Sequence, residues 1–234
     1  MLADADIAPV AALLADAARV AMLWALSDGR EVAASELARV AGVTRPTASV
    51  HLAKLSAANL VSVRSEGRYR HYRLARPELV QALEALAILA PPASPRTHRQ
   101  ARIGRAVRAA RTCYDHLAGR LGVALADALV AGGHAEFASD GGVITNSGVA
   151  LLGRVGIDVP TLRERRGPRA VRILCRPCLD WSERRPHLAG SLGAEICGQS
   201  FAQGWIRRID GTRAVAITPK GYRVFREQFG AQLG

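Results

Sequence analysis

The chain has 234 residues, 49% of them apolar, enough for one large domain or two small ones around a real core. Its 32 Lys and Arg against 20 Asp and Glu leave a net charge of +12, which points to polyanionic partners such as nucleic acid. Asp6, Asp16 and Arg19 interrupt the opening apolar stretch, so a membrane span is excluded there. No basic n-region with a cleavage site precedes it, so a cytoplasmic protein with its four cysteines as thiols is expected.

Residues 5–26 read as two helices broken near Asp16, with Ile7, Leu13, Leu14, Val20, Leu23, Trp24 and Leu26 as the buried set. Ser35 to Ala41 predicts a short helix with Leu37, Val40 and Ala41 inward, stopped by Gly42. Thr44 is a fitting N-cap for the next helix, and Pro46 is tolerable in its first turn. That helix offers Val50, Leu52 and Leu55 for packing and leaves Arg45, Thr47, Ser49, His51 and Lys54 for other faces. Val61 to Arg64, a turn at Ser65-Glu66-Gly67, and Arg68 to Leu74 then form a hairpin. Helix, turn, helix and basic hairpin in this order describe a winged helix-turn-helix. Short hydroxyls and cations on the second helix suit base edges and phosphates, and Arg64, Arg68 and Arg70 put guanidinium groups on the wing.

This region resembles the ArsR/SmtB family of bacterial transcriptional repressors. The likeness is carried by Ala12 to Leu26, Ser35-Glu36-Leu37-Ala38, Thr44 to Leu55, and Glu66-Gly67-Arg68-Tyr69-Arg70-His71-Tyr72. The resemblance implies a homodimer joined through the first and last helices of the domain. It also implies a pseudo-palindromic double-stranded DNA operator, released when a small-molecule or metal effector binds. The family's two metal sites do not carry over. Ala33 and Ser35 stand where a thiolate pair would fall, and residues 77–89 supply Glu78 and Glu84 but no histidine.

Pro77 opens a helix through Leu79, Val80, Leu83, Leu86 and Leu89, the expected second dimerisation helix. The domains read as 1–90, a winged helix for DNA binding and dimerisation; 91–95, a Pro-rich linker; and 96–234, an effector domain. A long helix is expected from about Thr97 to Gly119. Along it Arg96, Arg99, Arg102, Arg105, Arg108 and Arg111 step by three and wind around the axis rather than making one face.

The second half repeats itself. His116-Leu117-Ala118-Gly119-Arg120-Leu121-Gly122 recurs as His187-Leu188-Ala189-Gly190-Ser191-Leu192-Gly193, and Ile144-Thr145-Asn146-Ser147-Gly148 recurs as Ile217-Thr218-Pro219-Lys220-Gly221. Each copy (about 113–160 and 175–234) reads as helix, helix, hairpin and Thr-capped helix, so a degenerate winged helix. Two such copies are expected to pack about a pseudo-two-fold axis. Their counterparts of the recognition helix, Val123 to Ala131 and Ala194 to Gln203, carry no cation and suit burial. The fold class is therefore mainly α with small β-hairpins (α+β).

Cys113 and His116 stand three apart, Cys175-Arg176-Pro177-Cys178 is a C-x-x-C, and His187 is the repeat-mate of His116. On a pseudo-dyad His116 and His187 would approach each other and bring the cysteines along. Cys113, His116, Cys178 and His187, with Cys175 as a further ligand, suit zinc or another thiophilic metal, or a thiol-reactive species. The bland alternative makes these packing residues, as expected for Cys197. Tyr114, Trp181, Phe201 and Trp205 could line an organic-ligand pocket. There is no P-loop, G-x-S-x-G or H-E-x-x-H, so no catalytic residue is assigned. The expectation is a homodimeric, sequence-specific DNA-binding repressor. The alternatives are a thiol- or metal-reactive sensor and an architectural nucleic-acid binder without effector.

Overall fold

The computed structural model describes residues 5–67, 69–91, 98–138, 141–164 and 173–233. The chain forms two compact units, Met1–Leu83 and Glu84–Gly234. Among the described residues no single helix is long and apolar enough to cross a membrane.

The first unit opens with α1 (Ala8–Leu14) and α2 (Ala17–Leu26), bent by 91° at the break between them. Asp16 makes the corner. Its carboxylate accepts from the Arg19 amide at 2.9 Å as the N-cap of α2, while the Arg19 guanidinium donates to the Leu13 and Ala12 carbonyls left over at the end of α1. β1 (Val32–Ala33) leads into α3 (Ala34–Ala41), which Gly42 ends at φ +67°. Thr44 then caps α4 (Arg45–Ala57) by accepting from the Thr47 amide. β2 (Val61–Glu66) and β3 (Tyr69–Leu74) pair antiparallel, and β1 adds to the other side of β3 in the order β1-β3-β2. Met22, Leu23, Leu26, Leu37, Leu52 and Leu55 are fully enclosed beneath this sheet and helix set.

Two expectations for this unit are corrected. Ile7 is 74% exposed rather than buried, and Val50 is 56% exposed. On α4 the inward positions are Ala48, Leu52 and Leu55, four and then three apart. Val50, two residues from both Ala48 and Leu52, faces the opposite way. Arg68 and residues 92–95 of the Pro-rich segment lie outside the described residues.

α5 (Glu78–Leu89) carries the chain from the first unit to the second. The long helix expected to Gly119 ends much earlier: α6 (His98–Ala109) gives way to a hairpin, β4 (Arg111–Cys113) and β5 (His116–Ala118). Tertiary pairing overrides the helical pattern here. The Thr112 amide donates to the Arg213 carbonyl and the Val215 amide to the Ala110 carbonyl, so this backbone is stitched to a strand a hundred residues on. Tyr114, at φ +59°, closes the tight turn. Arg111 therefore leaves the arginine helix and is fully buried, while Arg96 and the Arg99 side chain lie outside the described residues.

The first repeat continues with α7 (Gly119–Ala131), β6 (Ala135–Phe137), β7 (Gly142–Ile144) and α8 (Asn146–Arg154), followed by α9 (Val159–Glu164). The second is β8 (Arg176–Leu179), β9 (Pro186–Ala189), α10 (Gly190–Ala202), β10 (Ile206–Arg208), β11 (Val215–Ile217) and α11 (Pro219–Glu227). The unit of repetition is thus hairpin, helix, hairpin, Thr-capped helix, not helix, helix, hairpin, helix. Thr145 and Thr218 cap α8 and α11 in the same way, accepting from the Gly148 and Gly221 amides.

The repeats exchange elements: β5 packs on α10 and β9 on α7. Gly122 and Gly193, repeat-mates on α7 and α10, permit the close approach. A Cβ on Gly122 would lie 2.4 Å from the Leu117 carbonyl oxygen and 3.4 Å from the His187 Cβ. On Gly193 it would lie 2.5 Å from the Leu188 oxygen and 3.2 Å from the His116 Cβ. Leu121, Leu129, Leu152, Ile157, Leu192 and Phe225 fill the shared core.

Candidate functional site

In the first unit α4 presents Arg45, Thr47, Ser49 and Lys54 on its exposed face. Val50, assigned to the core by its type alone, joins them. A shallow groove lined by Ser35, Arg45, Ser49, Tyr69 and Arg70 runs between α4 and the wing. His51 is turned away from that face: its side chain is only 14% exposed, with Nδ1 3.8 Å from Asp16 and 3.4 Å from Arg19 at the α1–α2 corner. On the wing Arg70 is exposed, whereas Arg64 is held by Glu31 at 2.7 Å and Glu66 at 2.9 Å. Hydrogen bonding to Arg64 holds the Glu31 carboxyl below its ordinary range.

The second unit gathers chemistry of another kind. Cys113 and His116 are cross-strand partners in the β4–β5 hairpin, and Cys178 and His187 are cross-strand partners in β8–β9. Cys113 and His116 therefore do not lie on the long helix that was expected to run to Gly119. A tight hairpin also brings i and i+3 together, as the first repeat does, while the second sets Cys178 opposite His187 across a longer loop; each hairpin presents a sulfur beside an imidazole. One ligand atom from each of the four residues falls within 4.8 Å of all the others, and all four side chains are buried. The two imidazole rings stack with centroids 5.1 Å apart.

The polar bookkeeping within this cluster is incomplete. His116 Nδ1 sits 3.2 Å from Asp115, and His187 Nδ1 lies 3.5 Å from Asp180 without the alignment of a hydrogen bond. Both Nε2 atoms are buried without a hydrogen-bond partner among the described residues. A buried polar atom left in this condition is costly. Two such nitrogens beside two sulfurs are donors that could hold a soft metal ion such as zinc. The two sulfurs act on each other: Cys178, with burial, pushes the Cys113 thiol up to about 11, and Cys113 draws Cys178 down. Burial works against a charged His116, but Asp115 and Cys113 lift it to about 9. Burial, with the charge of His116, draws His187 down.

Cys175 does not join this set. It lies in the bend before β8, not in the strand that carries Cys178. A Cβ on Gly142 would come within 2.9 Å of the Cys175 sulfur, and the Gly142 amide donates to the Cys175 carbonyl. Burial alone pushes Cys175 up to about 11, and burial against the pull of Arg208 raises Cys197 to about 12, the mark of inert, packed thiols. Nor do the four aromatics line one pocket. Trp205 stacks edge-on against Phe225 and Phe229, Phe201 lies under Arg208, and Trp181 lies under Arg108 and Arg111.

The residues that sequence reasoning missed surround the cluster. Asp180 accepts from Arg111 Nη2 at 2.9 Å and the Gly119 amide at 2.6 Å through one oxygen. The other oxygen takes the Ser182 amide and hydroxyl. Burial opposes the Asp180 charge, yet the guanidinium of Arg111 and these donors hold the carboxyl well below its ordinary range. Arg185 pairs with Asp127 at 2.7 Å.

Residues 14–64 match the family described as helix-turn-helix domain. The HTH-type transcriptional regulator YdfF of Bacillus subtilis (strain 168) is 37% identical over 228 residues, covering 97% of this chain and 99% of that protein. The HTH-type transcriptional regulator KmtR of Mycobacterium tuberculosis is 46% identical over 69 residues, 30% of this chain and 52% of KmtR. Among solved structures, the homodimeric winged helix-turn-helix DNA-binding domain Mb0332 from Mycobacterium bovis is 26% identical at a TM-score of 0.34, covering 42% of this chain and 97% of that one. The full-length match to YdfF extends through both repeats as well as the winged helix, and the chain belongs to the HTH-type transcriptional regulators, with its first unit as their DNA-binding domain.

Proposed function

We propose that the protein is a homodimeric, sequence-specific repressor whose hold on its operator is set by a soft divalent ion. Zinc is the reference case, and the ligands are Cys113, His116, Cys178 and His187. The observation that carries the reading is the buried four-ligand cluster with two unpartnered imidazole nitrogens. Bound there, the ion would supply charge to satisfy both nitrogens and hold both sulfurs as thiolates, at metal–sulfur distances near ~2.3 Å and metal–nitrogen near ~2.0 Å. Asp115 and Asp180, beside the two Nδ1 atoms, would orient the rings so that Nε2 ligates.

On the DNA side, α4 would enter the major groove. Thr47, Ser49 and Val50 would face base edges and thymine methyls, and Arg45 and Lys54 would meet phosphates. Arg70, with Arg68, would reach the flanking backbone. Exposed Leu86 and Leu89 on α5 and Ile7 before α1 support joining of two copies through these helices. In the reducing cytoplasm the cysteines would stay available to metal.

The test is to select a binding site from random duplex DNA, then compare the dissociation constants of metal-free and zinc-loaded protein at fixed salt. A several-fold difference, lost in Cys178→Ser, supports the reading. Equal affinity leaves an architectural binder. A second reading, oxidation of the Cys113–Cys178 pair, is favoured by the closeness of the two sulfurs, within 4.8 Å of each other. It predicts a response to peroxide that zinc suppresses.

A further inference from the structure

One buried line of charge leads away from the cluster. Asp180, beside the ligand His187, accepts from Arg111 Nη2 at 2.9 Å. The same nitrogen lies 3.2 Å from Glu84 Oε2, and Glu84 Oε1 accepts from Arg213 Nη1 at 2.8 Å. The Arg111 and Asp180 side chains are fully buried, and Glu84 and Arg213 nearly so. Two carboxylates balance two guanidiniums, with His187 at one end. Glu84, between Arg111 and Arg213, belongs to α5, the helix that runs on from the first unit. A buried network of this kind is no better at holding a fold than apolar side chains of the same volume.

We infer that Asp180, Arg111 and Glu84 transmit occupancy of the Cys/His centre to α5. Asp180 and Arg111 act as positioning residues, and Glu84 is the receiving group. The inference rests on the proposed role of the metal in setting DNA affinity. A cation on His187 Nε2 fixes the ring proton on Nδ1 and polarises it towards Asp180 Oδ2. That oxygen already serves Arg111 and the Gly119 amide, so a third donor weakens its hold on Arg111. The Arg111 Nη2, shared between two carboxylates, then favours Glu84. Without the cation the balance returns to Asp180. The metal thus binds the two arrangements of Arg111 with different affinity, which is the condition for shifting an equilibrium between them.

The experiment uses the full chain and the selected DNA site. Zinc-loaded and metal-free dissociation constants are compared for the wild type and Glu84→Gln, with cobalt(II) titration of both. The wild-type ratio is expected in the range typical of such coupling, about 5- to 150-fold. Glu84→Gln is expected to keep one cobalt per chain while its DNA ratio falls to near one. A Glu84→Gln protein that keeps the wild-type ratio overturns the inference and leaves the metal-sensing reading standing. A wild type whose ratio is one overturns both. Should Glu84→Gln not fold, amide hydrogen exchange of Glu84 to Leu89 in the wild type decides the matter. Protection that changes on zinc binding is expected, and unchanged protection contradicts the inference.

Discussion

Gly122→Ala tests how the two repeats hold the Cys/His centre. The added Cβ would sit 2.4 Å from the Leu117 carbonyl oxygen and 2.7 Å from its carbon. Ordinary van der Waals contact begins near 3.4 Å, so α7 and β5 must part by roughly 1 Å at this point. Leu117 follows the ligand His116, and the new methyl also touches the ligand His187, so the displacement acts on both imidazoles. Metal–ligand distances tolerate only about 0.2 Å. Overpacking of this kind costs about 1–3 kcal/mol. If most of it falls on the metal-bound state, affinity for zinc drops by about 5- to 150-fold, at 1.4 kcal/mol per decade. Competition of each protein against a chromophoric chelator measures the loss, and circular dichroism checks that the variant is folded. Gly153→Ala is the control. A Cβ there meets nothing within 4 Å, so helix α8 gains a better helix former and zinc affinity stays at the wild-type value. A folded Gly122→Ala protein with wild-type zinc affinity would refute this account of the close approach.

Cys178→Ser is expected to abolish stoichiometric metal binding, and Cys175→Ser to leave it intact, both read by metal analysis after gel filtration; the reverse pattern contradicts the assignment of the C-x-x-C. Asp16→Ala should cost the first unit about 1 kcal/mol in chemical denaturation, the usual worth of an N-cap. Hydrogen bonding from the Arg19 amide, with the nearby His51 and Arg19 charges, lowers the Asp16 carboxyl below 3.8 in the folded state. The stability it adds is therefore present above the unfolded value and lost as pH falls through the folded one. The gap between wild type and Asp16→Ala should accordingly close on acidification below about pH 4, and a gap that widens there would count against the cap. Ser49→Ala should lose binding to the selected site while sparing random DNA. Arg70→Ala should weaken both and reduce the salt slope by about one. Equal behaviour of the two variants in salt titrations would remove one of the surfaces.

The first unit was legible because its signals are local. Gly42 at a left-handed position, Thr44 as a cap and the alternation through Val61–Leu74 each specify their own few residues. What failed there was the face of a residue: Val50 and His51 were assigned by type, when the 100° step of α4 decides which way each points. In the second unit the repeat drew His116 and His187 together as candidates, and the four residues that gather there could be named. Their geometry could not, because i, i+3 spacing fits a helix face and a tight hairpin equally well. The hairpin wins through backbone pairing to Arg213 and Val215, which no local pattern announces. Asp180, Arg111 and Glu84 were invisible for the same reason. Their partners lie 69 and 27 residues apart, and nothing in the sequence separates Arg111 from the five arginines before it.

The most direct test of the central claim is metal analysis with cobalt(II) absorption on the full chain, purified under reducing conditions without chelator. The account predicts one metal per chain and, after exchange, thiolate-to-cobalt charge transfer with the absorption of a tetrahedral site, absent from Cys113→Ser. Metal-free protein that takes up no cobalt, with Cys113 and Cys178 as ordinary packed thiols, would contradict it.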